Sequence, residues 1–178
     1  MMPNIFIISD THWGHKAATE TFKRDDGTPL RPFATVEECD EAMVENWNKV
    51  VAPSDKVYHL GDVIMPKDKK NAAIMHRLNG TKVLIKGNHD MESLDFYKQF
   101  FKDVRGSHRL DNIVLTHIPV HPGSLTRWRA NIHGHLHYGS VIAGDQEDPK
   151  YFCASVEKIN FTPMPFEEIN QIFKNRGI

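Results

Sequence analysis

The chain predicts an α/β fold, and three observations carry that expectation. Its first half alternates short apolar runs with amphipathic stretches of helical period, the arrangement that builds a parallel sheet with helices on its faces. Its second half holds shorter apolar runs with few helical stretches between them, which predicts antiparallel pairing there. Several of these runs end in side chains that can ligate metals, and in open α/β sheets the carboxyl edge of the strands is where sites are assembled. With 178 residues, 40% of them hydrophobic, the whole chain (1–178) reads as one domain able to bury a core without staples.

Asn4 to Ser9 is short, apolar and rich in Ile, a buried strand that ends at Asp10-Thr11-His12-Trp13-Gly14-His15. Lys16 to Pro32, with Asp26-Gly27 and two prolines, reads as a long surface loop, suited to be a flap beside the site. Thr35-Val36-Glu37-Glu38 is a capping box that opens a helix to Val50, with Val36, Cys39, Met43, Trp47 and Val50 as its buried stripe. Lys56 to Leu60 is the second strand and delivers Gly61-Asp62. Asp68 to Leu78 predicts a helix with Ala72, Met75 and Leu78 inward, stopped by Asn79-Gly80.

Thr81 to Lys86 is the third strand and delivers Gly87-Asn88-His89-Asp90. A helix predicted from Met91 to Phe101 would set that turn at a helix N-terminus, where free N–H groups favour an anion. Val104–Leu110, Asn112–Thr116, Ala130–His133, Tyr138–Ile142 and Tyr151–Val156 read as the later strands. Ile118 to Arg129 is a proline-bearing loop, and Gly144 to Lys150 a hairpin tip. Pro165 opens a closing helix with Phe166, Ile169, Ile172 and Phe173 inward. No internal repeat is visible.

The net charge of −1 argues against a general electrostatic grip on nucleic acid, though it leaves room for a small nucleotide. Cys39 and Cys153 form no framework and read as buried thiols. No apolar run is long enough to span a bilayer and no signal-type segment opens the chain, so the expected location is cytoplasmic. Histidine is out of line. There are eleven, and His117, His121, His133, His135 and His137 crowd into one segment. Imidazole is the commonest nitrogen ligand for transition metals, so the crowding calls for a chemical reason.

A pair of divalent cations needs a bridging anion and a shell of nitrogen and oxygen donors around each. The strand ends supply two carboxylates (Asp10, Asp62), one amide (Asn88) and four imidazoles (His12, His117, His135, His137). Taken singly, most have a plainer reading. Gly61-Asp62 is a common turn, His117 suits a core histidine, and Asp90 is a favoured helix N-cap. Their conjunction at five strand ends favours the metal reading.

Asp-x-His, Gly-Asp, Gly-Asn-His-Asp, a single His after a strand, then Gly-His-x-His together resemble the calcineurin-like metallophosphoesterase superfamily. All five blocks stand in order from residue 10 to residue 137. The segment Tyr151 to Glu168, with Ser155-Val156-Glu157, resembles small bacterial and phage members more loosely. The resemblance implies a four-layer α/β/β/α sandwich with two mixed sheets face to face. It implies one metal at Asp10, His12 and His137, a second at Asn88, His117 and His135, and Asp62 bridging them. His15, His59, His121 and His133 lie outside the ligand positions, and His59 and His133 read as packing.

The expected activity is hydrolysis of phosphate esters, nucleotides included, with phosphodiesters favoured. The metal pair would lower the pKa of a bridging water to furnish hydroxide near neutral pH. His89 would assist the leaving oxygen and Asp90 orient its ring. Asn88, His121 and Arg127 are candidate substrate contacts, with Trp128 read as anchored in the core. The mixed donors suit Mn, and also Fe, Zn, Co or Ni. A phosphomonoesterase or protein phosphatase of the same superfamily is the alternative enzyme, and a non-catalytic scaffold the alternative from another class. Intact ligands and His89 speak against the scaffold.

Overall fold

A computed structural model describes residues 3–65 and 69–178. The elements follow the chain as β1 (Ile5–Ile8), α1 (Lys16–Glu20), α2 (Val36–Val50), β2 (Lys56–His59), a 3-10 helix (Lys69–Arg77) and β3 (Thr81–Ile85). Next come α3 (Leu94–Tyr97), β4 (Asp103–Arg105), β5 (His108–Leu110), β6 (Ile113–Leu115), a second 3-10 helix (Pro122–Arg127) and β7 (Ala130–His133). The chain closes with β8 (Ile142–Ala143), β9 (Gln146–Glu147), β10 (Tyr151–Cys153), β11 (Met164–Pro165) and α4 (Phe166–Asn175).

Two mixed sheets result. The first has the order β11-β1-β2-β3-β4, with β1 to β4 parallel and β11 antiparallel at the edge. The second has the order β10-β7-β6-β5. Antiparallel pairing, expected in the second half, holds for β5 with β6, for the hairpin β8–β9 and for β11 against β1, whereas β6–β7 and β7–β10 are parallel. The predicted strand Val104–Leu110 breaks at Gly106-Ser107, and its halves join different sheets. That short break carries the chain from one sheet to the other.

Side chains alternate across the strands, as a pleat requires. Phe6, Ile8, Val57 and Leu84 face one core, packed against Cys39, Met43 and Trp47 of α2. Ile7, Tyr58, Val83 and Ile85 face the other, against Ile113, Leu115 and Ile132 of the second sheet and Phe166, Ile169 and Phe173 of α4. On the second sheet's far side, Val114 and Tyr151 pack with Leu125, and Trp128 lies partly buried there. Trp47 is fully buried, and its indole N–H donates to the Asn79 carbonyl at 3.0 Å.

Several elements depart from expectation for identifiable reasons. Asp68 lies outside the described residues, and Lys69–Arg77 is a 3-10 helix rather than an α-helix. Ala72, Met75 and Leu78 recur every third residue, the period of a 3-10 helix, and all three are buried. The helix expected from Met91 begins only at Leu94, where the Ser93 hydroxyl accepts from the Phe96 N–H at 3.2 Å. The Gly87–Asp90 turn therefore does not sit at a helix N-terminus. The loop after His15 carries the short α1, which the sequence reading omits. Tyr138–Ile142 is mostly irregular, leaving only the two-residue β8 to pair with β9. Pro165 is the N-cap of α4 and pairs with Phe6 in edge strand β11, a place where its missing N–H costs nothing.

Register sets the site. Ile8 lies beside His59, and His59 beside Leu84, so β1, β2 and β3 release their loops at one edge. Leu115 beside Ile132 does the same for His117 and Gly134. A bridge between Ser9 and Ser155 brings the ends of the two sheets together.

Candidate metal centre

Asp10 follows β1 and is completely buried. Its carboxylate accepts from the Ser155 hydroxyl at 2.7 Å and from the His135 backbone N–H at 3.0 Å. Burial raises its pKa, partly offset by nearby His137 and His117. Asp10, His12 and His137 offer ligand atoms within 4.8 Å of one another, and so do Asp62, His117 and His135. Asp62 spans the two groups, with Oδ2 at 3.6 Å from His12 Nε2 and 3.3 Å from His117 Nε2. The Asn88 carbonyl oxygen lies 2.8 Å from His117 Nε2 and 2.9 Å from His135 Nδ1, so it converges on the second group.

Hydrogen bonding assigns two imidazole tautomers. The Leu60 carbonyl can only accept, so His117 Nδ1 at 2.7 Å must carry the proton, leaving Nε2 free to ligate. The Glu157 carboxylate accepts from His137 Nδ1 at 3.2 Å with the same consequence. Burial acts to lower the pKa of both rings, but their acidic partners win and both are raised. Burial likewise works against the charge on Asp62, yet His117 beside it holds the carboxyl down to about 2. His12 lacks such a partner on Nδ1, which is buried and unbonded, and burial keeps its pKa well below the ordinary value.

The backbone is strained where the ligands are. Asp10, His12, Asp62, His135 and His137 all have positive φ, from 45° to 69°. Such conformations cost about 1–3 kcal/mol each and persist only where the surroundings impose them. Residues 134–137 leave the strand at once: left-handed turns at His135 and His137 send the two rings to different groups. Two glycines allow the loops to close in. A Cβ on Gly87 would lie 2.3 Å from Asp62 Oδ1, and one on Gly134 would lie 2.4 Å from Asp10 Oδ2.

His89 is exposed beside this cluster, its ring centroid 5.6 Å from that of His12. Asp90 was expected to steer that ring, but its oxygens accept from the backbone N–H groups of Asp62, Val63 and Gly87 at 2.8–2.9 Å. It ties the second and third loops together. His59 is satisfied on both nitrogens, by Thr11 Oγ1 and the Gly61 N–H, and burial drops its pKa to about 3. It is a structural histidine, as is the buried His133. His121 caps the 3-10 helix through the Gly123 N–H, and Arg127 is exposed; neither lines the cleft beside His12, His89 and His137.

Three residues to which the sequence assigns no site role stand against the ligands. Arg31 is fully buried, donating to the Asp10 and Thr11 carbonyls at 2.8 and 2.9 Å and pairing with Glu157 at 2.9 Å. Glu157 thus joins Arg31 to His137. His15 caps α1 and packs edge-on against His12 with centroids 5.4 Å apart. Glu157 falls in the Ser-Val-Glu segment already noted; Arg31, inside an apparent surface loop, has no local signal.

Buried carboxylates, imidazoles with a freed nitrogen and loops brought into close approach suit two divalent cations. The sequence profile of the calcineurin-like phosphoesterases matches residues 3–175. The chain belongs to that family. It is 33% identical to the uncharacterized protein MJ1445 of Methanocaldococcus jannaschii, across 97% of this chain and 93% of that protein. It is 27% identical to the gene 66 protein of Mycobacterium phage L5, across 80% of this chain and 81% of that one. Its fold is similar to that of AQ665 from Aquifex aeolicus, a protein of unknown function, with a TM-score of 0.69 at 22% identity over 96% and 99% of the two chains. Family membership makes this phosphoesterase a hydrolase of phosphate esters. Among the described residues, no helix is long and apolar enough to cross a membrane.

Proposed function

We propose that this phosphoesterase hydrolyses phosphodiesters with two divalent transition metals, Mn²⁺ being the ion to test first. One observation carries the reading: two ligand groups share the Asp62 carboxylate, and an exposed histidine, His89, stands against their rim. One cation would rest on Asp10, His12 and His137, the other on Asn88, His117 and His135, with Asp62 between them. Mixed carboxylate, amide and imidazole donors suit Mn, and equally Fe, Zn, Co or Ni. Bound there, the ions would polarise the phosphoryl group and acidify water.

The chain's own residues supply the rest. His89 donates a proton to the departing oxygen, a task suited to an exposed imidazole at the rim of the ligand groups. Its backbone N–H donates to Asp62 Oδ1 at 2.8 Å, which fixes His89 relative to the bridging position. Asp90 acts on the backbone and not on the proton, by holding the Asp62 and Gly87 loops together. The Asn88 amide, exposed at the same rim, would touch both ion and substrate.

The test is hydrolysis of a chromogenic phosphodiester beside the matching monoester in Mn²⁺, for wild type and His89→Ala. Faster cleavage of the diester, with a loss of about 10²–10⁴-fold in His89→Ala, is the expected result. A preference for the monoester would replace the diester reading with a phosphomonoesterase. Cleavage indifferent to His89 would remove it from the mechanism.

A further inference from the structure

A cleft of about 340 Å³ opens beside His12, His89 and His137, and its opposite wall is apolar. Ala18 of α1, Phe22, Leu30 and Met65 make that wall. Phe22 is 48% exposed, a large aromatic ring left in solvent at the mouth of a polar site. A lone exposed apolar residue is ordinary, but Phe22 shares the lining of this cleft with the half-buried Leu30 and Met65 and the buried Ala18, the composition of a ligand pocket.

The wall is preformed. The Leu30 N–H donates to the Phe22 carbonyl at 2.8 Å, and Lys23 bridges to Pro29, so Phe22 and Leu30 are held across from one another. Phe22 packs edge-on against His15, with centroids 5.5 Å apart. Arg31 anchors one end of this loop in the core, and Arg24 lies 4.2 Å over the Tyr138 ring, next to His137. The loop expected to be a flap is a pinned wall. Little ordering is then needed when a ligand arrives, which favours binding.

We infer that this wall is the seat of a flat, uncharged aromatic ring carried by the phosphate ester, with Phe22 and Leu30 selecting it. The inference rests on the phosphoesterase reading above and specifies its substrate class. With the phosphoryl group at the paired ligand clusters, the organic group must leave toward solvent or along the cleft. Along the cleft it meets Phe22, Leu30 and Met65 and is removed from water.

Phenylphosphonate and methylphosphonate, neither of which is hydrolysed, separate the two contributions. Their affinities for the Mn²⁺-loaded protein are measured by titration calorimetry. Phenylphosphonate is expected to bind about tenfold more tightly, the order that follows from burying one face of a ring. Phe22→Ser, at an exposed position that folding tolerates, should cut that ratio severalfold, and Phe22→Ser with Leu30→Ala should bring it close to one. Equal affinities in wild type, or a ratio unmoved in the double variant, would overturn the inference while leaving the phosphoesterase reading in place. Binding of neither phosphonate to protein that holds its metal would overturn both.

Discussion

Glu157 does two jobs with one carboxylate. It accepts from His137 Nδ1 and neutralises the buried Arg31 guanidinium, which itself holds the Asp10 and Thr11 carbonyls. Such partners fix the tautomer and direction of a ligating ring, and their loss costs about 10–100-fold in metal affinity. Glu157→Gln should weaken one of two Mn²⁺ sites by that factor in a calorimetric titration; two unchanged affinities would reduce Glu157 to packing. Burial alone would raise the Glu157 carboxyl, but Arg31 and His137 pull it down to about 2. At this scale, the candidate ligands Asp10, His12, Asp62, Asn88, His117, His135 and His137 could be named from the sequence because each follows shortly after an apolar run. Arg31 could not, since its burial depends on partners up to residue 157.

At the scale of elements, close approach between loops decides what a position tolerates. A Cβ on Gly134 would meet Ser9 Oγ at 2.0 Å and Asp10 Oδ2 at 2.4 Å. Gly134→Ala should therefore destabilise the fold by about 1–3 kcal/mol and impair metal binding, as read by denaturant titration and metal analysis. Helix α2 makes a prediction about pH. Burial raises the Asp40 carboxyl from 3.8 to about 7; one oxygen accepts from the Gly14 N–H, and the other is buried without a partner.

Between those pH values the folded state binds the proton and the unfolded state does not, so stability falls as pH rises through the window. The contribution is on the order of 2–4 kcal/mol after allowance for partial exposure. Asp40→Asn should flatten the slope between pH 4 and 7 in thermal melts; an unaltered slope would place the titration elsewhere. The capping box of α2 was readable because it is local: the Thr35 hydroxyl accepts from the Glu38 N–H at 3.1 Å. The late start of α3 was not. The segment before it is committed to the neighbouring loop through Asp90, and no local propensity reports that.

For the whole molecule, two sheets share one site, and the site holds two buried carboxylates facing four imidazoles. Cations that bind only the folded chain stabilise it by about 2.7 kcal/mol at a hundredfold excess over Kd. At this chain length each kcal/mol corresponds to about 2–4 °C, so saturating Mn²⁺ should raise Tm by about 5–10 °C and a chelator should reverse it. A Tm indifferent to Mn²⁺ and to chelator would deny the metal centre. Family and α/β class were determined by the sequence itself, and the candidate ligands were named from it, since strand-end motifs and apolar runs are local and their order along the chain is read directly. The tertiary structure alone decided that Gly106-Ser107 divides two sheets, that Glu157 and Arg31 brace His137 and Asp10, and that Phe22 and Leu30 face the cleft. Each of these depends on contacts between segments distant in the chain, where side chains meet only after the sheets have packed.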